Sequence, residues 1–323
     1  MTLDIYEEVK AYHRIGISGH IKPDGDCIGS CLALYFYLKK RLPESEIRVF
    51  LEEPGYSFRN IPGLSNIRSL TDNSNCTVPE VFIALDTVPE RMGVAYELFQ
   101  KAEKTLNIDH HISNANGSAM VNYIDPKASA TCELIYKVMD PAYLDETIAQ
   151  LLYMGIVHDT GVFHFSNTSP ETMRIAANLL EYSFDFPKLI DETFYEKTFL
   201  QNKTQSRIVL DSRLYLDGKV IIGSADRSFM KKYGATKNDF EGVVNQLRIT
   251  EGVECAVFLY EKEEGLFKCS LRASSDLVDV AKVAMEFGGG GHVRAAGFDS
   301  SMTPDLLENR LIEKIAKQIS GKE

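Results

Sequence analysis

Hydrophobic positions follow two periods through the first half of the chain. Apolar runs of strand length occur at 14–19 (RIGISG), 47–51, 81–85 and 105–108, and residues 28–42 carry apolar positions at helical spacing between the first two. Runs buried on both faces and alternating with helices predict a mostly parallel sheet covered by helices. Helices then accumulate at 129–139, 145–157 and 170–182, the last with Ser169 as N-cap and Pro170 in its first turn.

The second half has a different grammar. A strand at 220–222 follows an Asp217-Gly218 turn, and 253–260 pairs with 266–272 across the polar turn 261–265. A helix at 279–287 leads into Gly288 to Gly291 and His292, then a short strand and a C-terminal helix from Pro304. Hairpins mixed with helices predict a smaller α+β domain. Between the halves, 186–209 is charged, helical in pattern and free of glycine, which reads as a helical connector rather than a flexible linker. The expected organisation is an α/β domain over 1–185, the connector over 186–209, and the α+β domain over 210–323.

Composition narrows the class. The chain has 323 residues, 44% hydrophobic and 25% charged, as in soluble globular proteins. Its first ten residues are too polar for a signal sequence, and no apolar run reaches about 18 residues, so a cytoplasmic protein without a membrane partner is expected. Six scattered cysteines without a CxxC pair read as reduced thiols. The net charge of −11 argues against coating long double-stranded nucleic acid, which needs a basic face. The excess is local: residues 1–205 carry 28 acidic against 18 basic side chains, and 206–323 carry 18 against 17. Divalent ions would offset that excess and admit an anionic substrate.

Acidic and imidazole residues cluster just after the apolar runs. His20, Asp24 and Asp26 lie in HIKPDGD after the first strand, where Pro23 and Gly25 break regularity so that the three side chains converge. Asp86 ends FIALD, Asp109 ends TLNID, and His110 and His111 follow. Strand tips of this kind are where open α/β sheets bind ligands. Adjacent imidazoles on an extended backbone point apart, so one is free for metal and the other for substrate. A helix running into GIVHDTG delivers Asp159. Oxygen and imidazole donors without thiolate favour Mn²⁺ or Mg²⁺ over structural zinc. The glycine run suggests backbone approached closely by an anion or base, with N–H groups forming a nest. Arg91 reads as a phosphate clamp or as a cation that is solvated or paired with an acid, Ser129 and Thr131 as substrate contacts or helix caps, His158 as support behind the metal ligands or packing, and Phe163 and Phe165 as strand or core, with base stacking the lesser alternative.

These motifs together resemble the DHH phosphoesterase superfamily. HIKPDGD, the Leu85-Asp86 pair, Asp109-His110-His111 and GIVHDTG are similar to its four metal motifs, and 270–298, with GGGGH, to its DHH-associated C-terminal domain. Within the superfamily the two-domain layout resembles the NrnA-type oligoribonucleases, or nanoRNases, which also dephosphorylate pAp. The resemblance implies one Mn²⁺ on His20, Asp24 and Asp86 and a second on Asp26, Asp86, His110 and Asp159, with Asp86 bridging. It implies that His111 contacts the scissile phosphate while Asp109 orients the imidazoles. Arg272 and Gly289, Gly290, Gly291 and His292 would hold the nucleotide, with the domains closing over a short substrate.

The expected function is release of 5′-mononucleotides from very short oligonucleotides, with pAp as a second substrate. Cyclic or linear dinucleotide signals are the nearest alternative, and a nucleotide-sensing module is the non-enzymatic one. A family II pyrophosphatase would carry a different C-terminal motif, and a RecJ-type exonuclease more chain. Base preference, cleavage polarity and oligomeric state, a homodimer included, are open at this level.

Overall fold

The computed structural model describes residues 3–69 and 76–321. They divide into two compact units, Met1–Glu196 and Lys197–Glu323.

The first unit runs α1 (Ile5–Val9), β1 (Arg14–Ser18), α2 (Gly25–Arg41), β2 (Glu46–Phe50), β3 (Ile67–Arg68), β4 (Val81–Leu85), α3 (Ala95–Lys101), β5 (Lys104–Asp109), β6 (Val121–Ile124), α4 (Thr131–Val138), α5 (Glu146–Asp159), α6 (Pro170–Leu179) and α7 (Phe186–Ile190). Its six strands are parallel, in the order β3-β2-β1-β4-β5-β6. The chain leaves β1 toward one edge and returns to β4 on its other side. Order therefore reverses between β1 and β4, and beyond their carboxyl ends such sheets open a crevice. β4 is buried at all five positions, which is why it reads as a continuous apolar run. Its Ile83 and Leu85 share one core with Ile17, Ile28, Leu32, Ile108, Leu151 and Ile156.

Several expectations are corrected. α2 starts at Gly25 rather than at residue 28, because Asp24 caps it by accepting from the Asp26 and Cys27 amides, so Asp26 is already helical. Phe163 lies in a turn, not a strand: Gly161, Val162 and Phe163 all take left-handed φ, 56°, 57° and 61°, where α5 ends. Four short elements, α1, α3, β3 and β6, have too few residues to show a period.

α4 is tied to α6 through Glu133, which is 1% exposed. Its carboxylate accepts from Ser129 Oγ at 2.8 Å, Thr172 Oγ1 at 2.9 Å and Lys137 Nζ at 2.8 Å. Burial alone would raise its pKa, but Lys137 and the two hydroxyls outweigh that and hold it below the ordinary glutamate value. The unfolded chain therefore binds this proton at higher pH than the native one. The stabilisation is complete above the ordinary glutamate pKa and is lost as pH falls through the depressed native value. Glu133→Gln is expected to cost about 1–3 kcal/mol near neutrality and to flatten the acid limb of the stability profile. Urea midpoints between neutral and acid pH check this; an acid limb as steep as wild type would refute it.

The second unit runs α8 (Phe199–Asp211), β7 (Arg213–Tyr215), β8 (Val220–Ala225), α9 (Arg227–Tyr233), α10 (Val243–Arg248), β9 (Cys255–Glu263), β10 (Leu266–Ala273), α11 (Val280–Met285), β11 (Gly290–His292), β12 (Ala295–Ser300) and α12 (Pro304–Ile319). Its sheet has the order β11-β12-β10-β9-β8-β7, with β8 and β9 parallel and the other neighbours antiparallel. One face packs Val257, Leu259, Leu271 and Phe298 under Leu307 and Leu311 of α12. On the other, Ile208, Val244 and Leu247 cover Ile221, Ala256 and Phe258.

The stretch 186–209 is not one helix. α7 continues into a π-helical turn, Asp191–Tyr195, and breaks; Thr198 then restarts α8 through a capping box with Gln201. That T-x-x-Q pattern was legible in the sequence as a helix start.

Candidate metal centre

The residues singled out in the first unit converge at the β1/β4 crevice. His20 follows β1, Asp86 follows β4, Asp109 ends β5, His110 and His111 come next, and Asp159 ends α5. His20 Nε2 lies 3.5 Å from Asp86 Oδ2 and 3.6 Å from Asp24 Oδ2. His110 Nε2 lies 2.9 Å from Asp159 Oδ2, 3.6 Å from Asp86 Oδ1 and 3.9 Å from Asp26 Oδ2. The two oxygens of Asp86 thus face two different donor groups. Asp86 takes a left-handed φ of 56° at the strand end.

Each imidazole is aimed by its other nitrogen. A carbonyl can only accept, so His20 Nδ1 donates to Ile21 O (2.9 Å) and His110 Nδ1 to Ala128 O (3.3 Å), leaving both Nε2 lone pairs for the cluster. His111 Nδ1 is held by Asp109 Oδ1 at 2.7 Å, so its remaining ring nitrogen is the one it presents outward. Asp109 is fixed in turn by Asn114 Nδ2 at 2.7 Å, and Asn114 also donates to Asn107 Oδ1 at 2.6 Å.

Asp26 is fully buried, and its carboxylate accepts from the amides of Thr131 (2.6 Å) and Cys132 (2.9 Å). These open α4, whose own N-cap position is Ala130 and supplies no side-chain oxygen. Asp26 therefore caps a helix more than a hundred residues away. Thr131 Oγ1 donates to Asp86 Oδ1 at 3.0 Å, so Thr131 neither caps its helix through its side chain nor stands apart from the acids.

Sequence reasoning did not single out Asn107, Asn114 or the tie from Thr131 to Asp86. The signal for the first was present: Asn107 is a polar residue inside an apolar strand, two positions before Asp109 and on its face. Cys27, one of the six thiols, lies in one group with His20 and Asp86. Burial pushes its pKa well up, so it stays a neutral thiol and leaves the donor set oxygen- and nitrogen-based.

The electrostatics call for a cation. Burial works against the charge on His20, but Asp24 and Asp86 outweigh it and raise its pKa to about 12; in the same way Asp159 and Asp26 raise His110 to about 10. Burial and then Asp159 raise Asp26 to about 6, and burial with Asp26 pushes Asp86 up. Four carboxylates crowd two imidazoles, and the buried His110 Nε2, although 2.9 Å from Asp159 Oδ2, makes no well-aligned hydrogen bond among the described residues. A ring nitrogen set among three carboxylates fits a divalent cation of the oxygen- and imidazole-binding kind.

Gly155 lets these parts approach. A Cβ there would press on Cys132 Sγ and lie 2.8 Å from Asp26 Oδ1. Gly155→Ala is expected to cost about 1–3 kcal/mol and to weaken metal binding by displacing Asp26. Metal titration by calorimetry checks it; wild-type affinity would refute the placement.

The other first-unit candidates separate. His158 packs between Phe58 and Phe194, with Nε2 3.1 Å from Thr193 Oγ1, and burial lowers its pKa to about 4. Ser129 binds Glu133, and Arg91 is exposed on a short 3₁₀ turn.

In the second unit, Arg272, Ala295 and His292 are cross-strand partners and share one face. The glycine run is not an open loop. Gly290 and Gly291 belong to β11, and the Gly288 and Gly289 amides donate to Met285 O and Ala284 O. Gly288 needs its left-handed φ of 77°, and a Cβ on Gly289 or Gly291 would strike β12, so three of the four glycines have an internal cause. Around Gly290 the space is open.

Residues 14–156 match the DHH family, N-terminal domain, and 217–321 match the DHHA1 domain. The bifunctional oligoribonuclease and PAP phosphatase NrnA of Thermus thermophilus is 31% identical over 95% of this chain and 90% of its own. The Bacillus subtilis protein of the same name is 26% identical over 92% of each chain. An exopolyphosphatase-related protein from Bacteroides fragilis superposes with a TM-score of 0.86 at 22% identity, over 97% of this chain and 95% of that one, and thus shares the fold. No helix among the described residues is long and apolar enough to cross a membrane.

Proposed function

Because the chain belongs to the DHH phosphoesterase family, and within it to the NrnA type with a DHHA1 domain, we propose that it hydrolyses very short oligoribonucleotides to 5′-mononucleotides and removes the 3′-phosphate of pAp. The observation that carries this is Asp86, whose two oxygens face separate donor groups, as a residue shared by two ions must. His20, Asp24 and Asp86 would hold one Mn²⁺, and Asp26, Asp86, His110 and Asp159 the other. When bound, such a pair supplies charge neutralisation at the phosphate and a water of lowered pKa.

The chain's own residues do the rest. Thr131 fixes one oxygen of Asp86, and the carbonyls of Ile21 and Ala128 hold His20 and His110 with Nε2 inward. Asp109, steadied by Asn114, keeps the Nδ1 proton of His111 in place and turns its other nitrogen toward a phosphate oxygen. On the second unit, Arg272, Gly289, Gly290, Gly291 and His292 would hold the nucleotide. The small, acidic chain suits a short ligand, and six free thiols suit a reducing cytoplasm.

The test is a product time course with Mn²⁺ on 5′-labelled RNA dimers to pentamers, with pAp and cyclic di-AMP alongside. Dimers and pAp should be consumed fastest, yielding mononucleotides. Preferential cleavage of the cyclic dinucleotide would replace this substrate assignment with a signal hydrolase. After chelation, Mn²⁺ should restore activity better than Zn²⁺; the reverse order would overturn the hard-donor argument.

A further inference from the structure

Asn107 is completely buried in β5, where an amide is costly unless its polar atoms are matched. Its Nδ2 donates to Ala84 O at 3.1 Å and to Thr87 O at 3.0 Å, two carbonyls that flank Asp86 in the chain. The Asp86 amide itself donates to Ile108 O at 3.0 Å, and the chain turns there through the left-handed φ of 56°. A left-handed residue with a side chain persists only where its surroundings hold it.

Asn114, 4% exposed, completes the hold. Its Nδ2 lies 3.1 Å from the same Thr87 O, 2.6 Å from Asn107 Oδ1 and 2.7 Å from Asp109 Oδ2, so the amide hydrogens are shared among these acceptors. Asp109 in turn holds His111 Nδ1, which lies 3.6 Å from Asp86 Oδ1. The contacts thus close on themselves, from Thr87 O through both amides to Asp109, His111 and back to Asp86. Among the described residues neither asparagine hydrogen-bonds to the Asp86 carboxylate or the His111 ring, so their influence passes through the Asp86 backbone and through Asp109.

We propose that Asn107 and Asn114 are positioning residues, a buried amide clamp that ties the turn at Asp86 to the pair Asp109 and His111. The clamp fixes the spacing between the acid that faces both donor groups and the imidazole aimed at substrate. This rests on the function proposed above, which gives Asp86 and His111 their duties. With the clamp lost, Asp86 is free to leave the left-handed region, and its two oxygens no longer face both groups at once. Both ion sites then weaken together, although every ligand side chain is still in the chain.

The experiment measures Mn²⁺ binding by calorimetry, and hydrogen exchange of the Asp86 amide in chelator, for the full-length wild type, Asn107→Leu, Asn114→Ala and Lys104→Met. Lys104 begins β5 at the opposite end of the strand, where its Nζ binds Glu8 at 2.6 Å, so its replacement disturbs the strand without touching the clamp. Each asparagine variant should bind Mn²⁺ about tenfold or more weakly at both sites and exchange the Asp86 amide about tenfold or more faster, while Lys104→Met stays within about twofold of wild type. At saturating Mn²⁺, Asn114→Ala should lower kcat on RNA dimers by about tenfold or more with KM little changed, because His111 loses its support. Affinity and exchange within about twofold of wild type in Asn114→Ala, or an equal change in Lys104→Met, would overturn the clamp. Asn114 lies in a short turn, so its variant decides the matter even where Asn107→Leu does not fold. If wild type binds Mn²⁺ but hydrolyses none of the substrates, the proposed function falls while the titration still decides the clamp. If it binds no Mn²⁺, the metal pair falls and the exchange at Asp86 decides.

Discussion

Asp86→Ala is expected to abolish turnover on every phosphoester substrate, by about 10³-fold or more. Each of its oxygens faces a different group, one toward His20 and one toward His110, so its loss should weaken both of the proposed ion sites at once. Removing Asp24 or Asp159 takes a donor from one group only. Rates measured across a Mn²⁺ titration distinguish the cases: excess metal partly rescues a single-site variant but not Asp86→Ala. Residual activity within about tenfold of wild type would refute the shared role.

Asp26→Ala should lose activity on a similar scale and, unlike Asp159→Ala, should also lose stability. With its carboxylate gone, the amides of Thr131 and Cys132 remain buried at the start of α4 without an acceptor, a cost of about 2–4 kcal/mol. Asp159 has no such duty. It is partly exposed, and its removal relieves the charge pressing on Asp26, so the metal-free stability of Asp159→Ala should stay within about 1 kcal/mol of wild type. Urea denaturation in chelator makes the comparison; equal midpoints for the two variants would show that Asp26 is not the cap.

The donors of the centre were legible because each is a charged residue at the end of an apolar run, where charge is out of place. His20, Asp86 and Asp159, and Asp109 behind His111, could be found that way from local pattern alone. What was hidden depends on contacts between distant parts of the chain. Nothing near Asp26 announces that it serves the helix at Thr131, and Gly155 looks like an ordinary helical glycine until Cys132 and Asp26 are packed on it. The glycine run has a second, internal cause that its composition does not announce. Its composition suggests a ligand cradle, and β12 lying against it also calls for glycine at 289 and 291. The helical connector expected over 186–209 is built of separate helical pieces, because periodicity continues across Thr198 while hydrogen bonding does not.

The backbone at Asp86 carries a tax that asparagine and glycine would escape or reduce, since both tolerate positive φ better than other residues. Asn or Gly at that position should therefore yield an inert chain at least as robust as the native one. Such a chain would be the natural vehicle for trapping an intact dinucleotide.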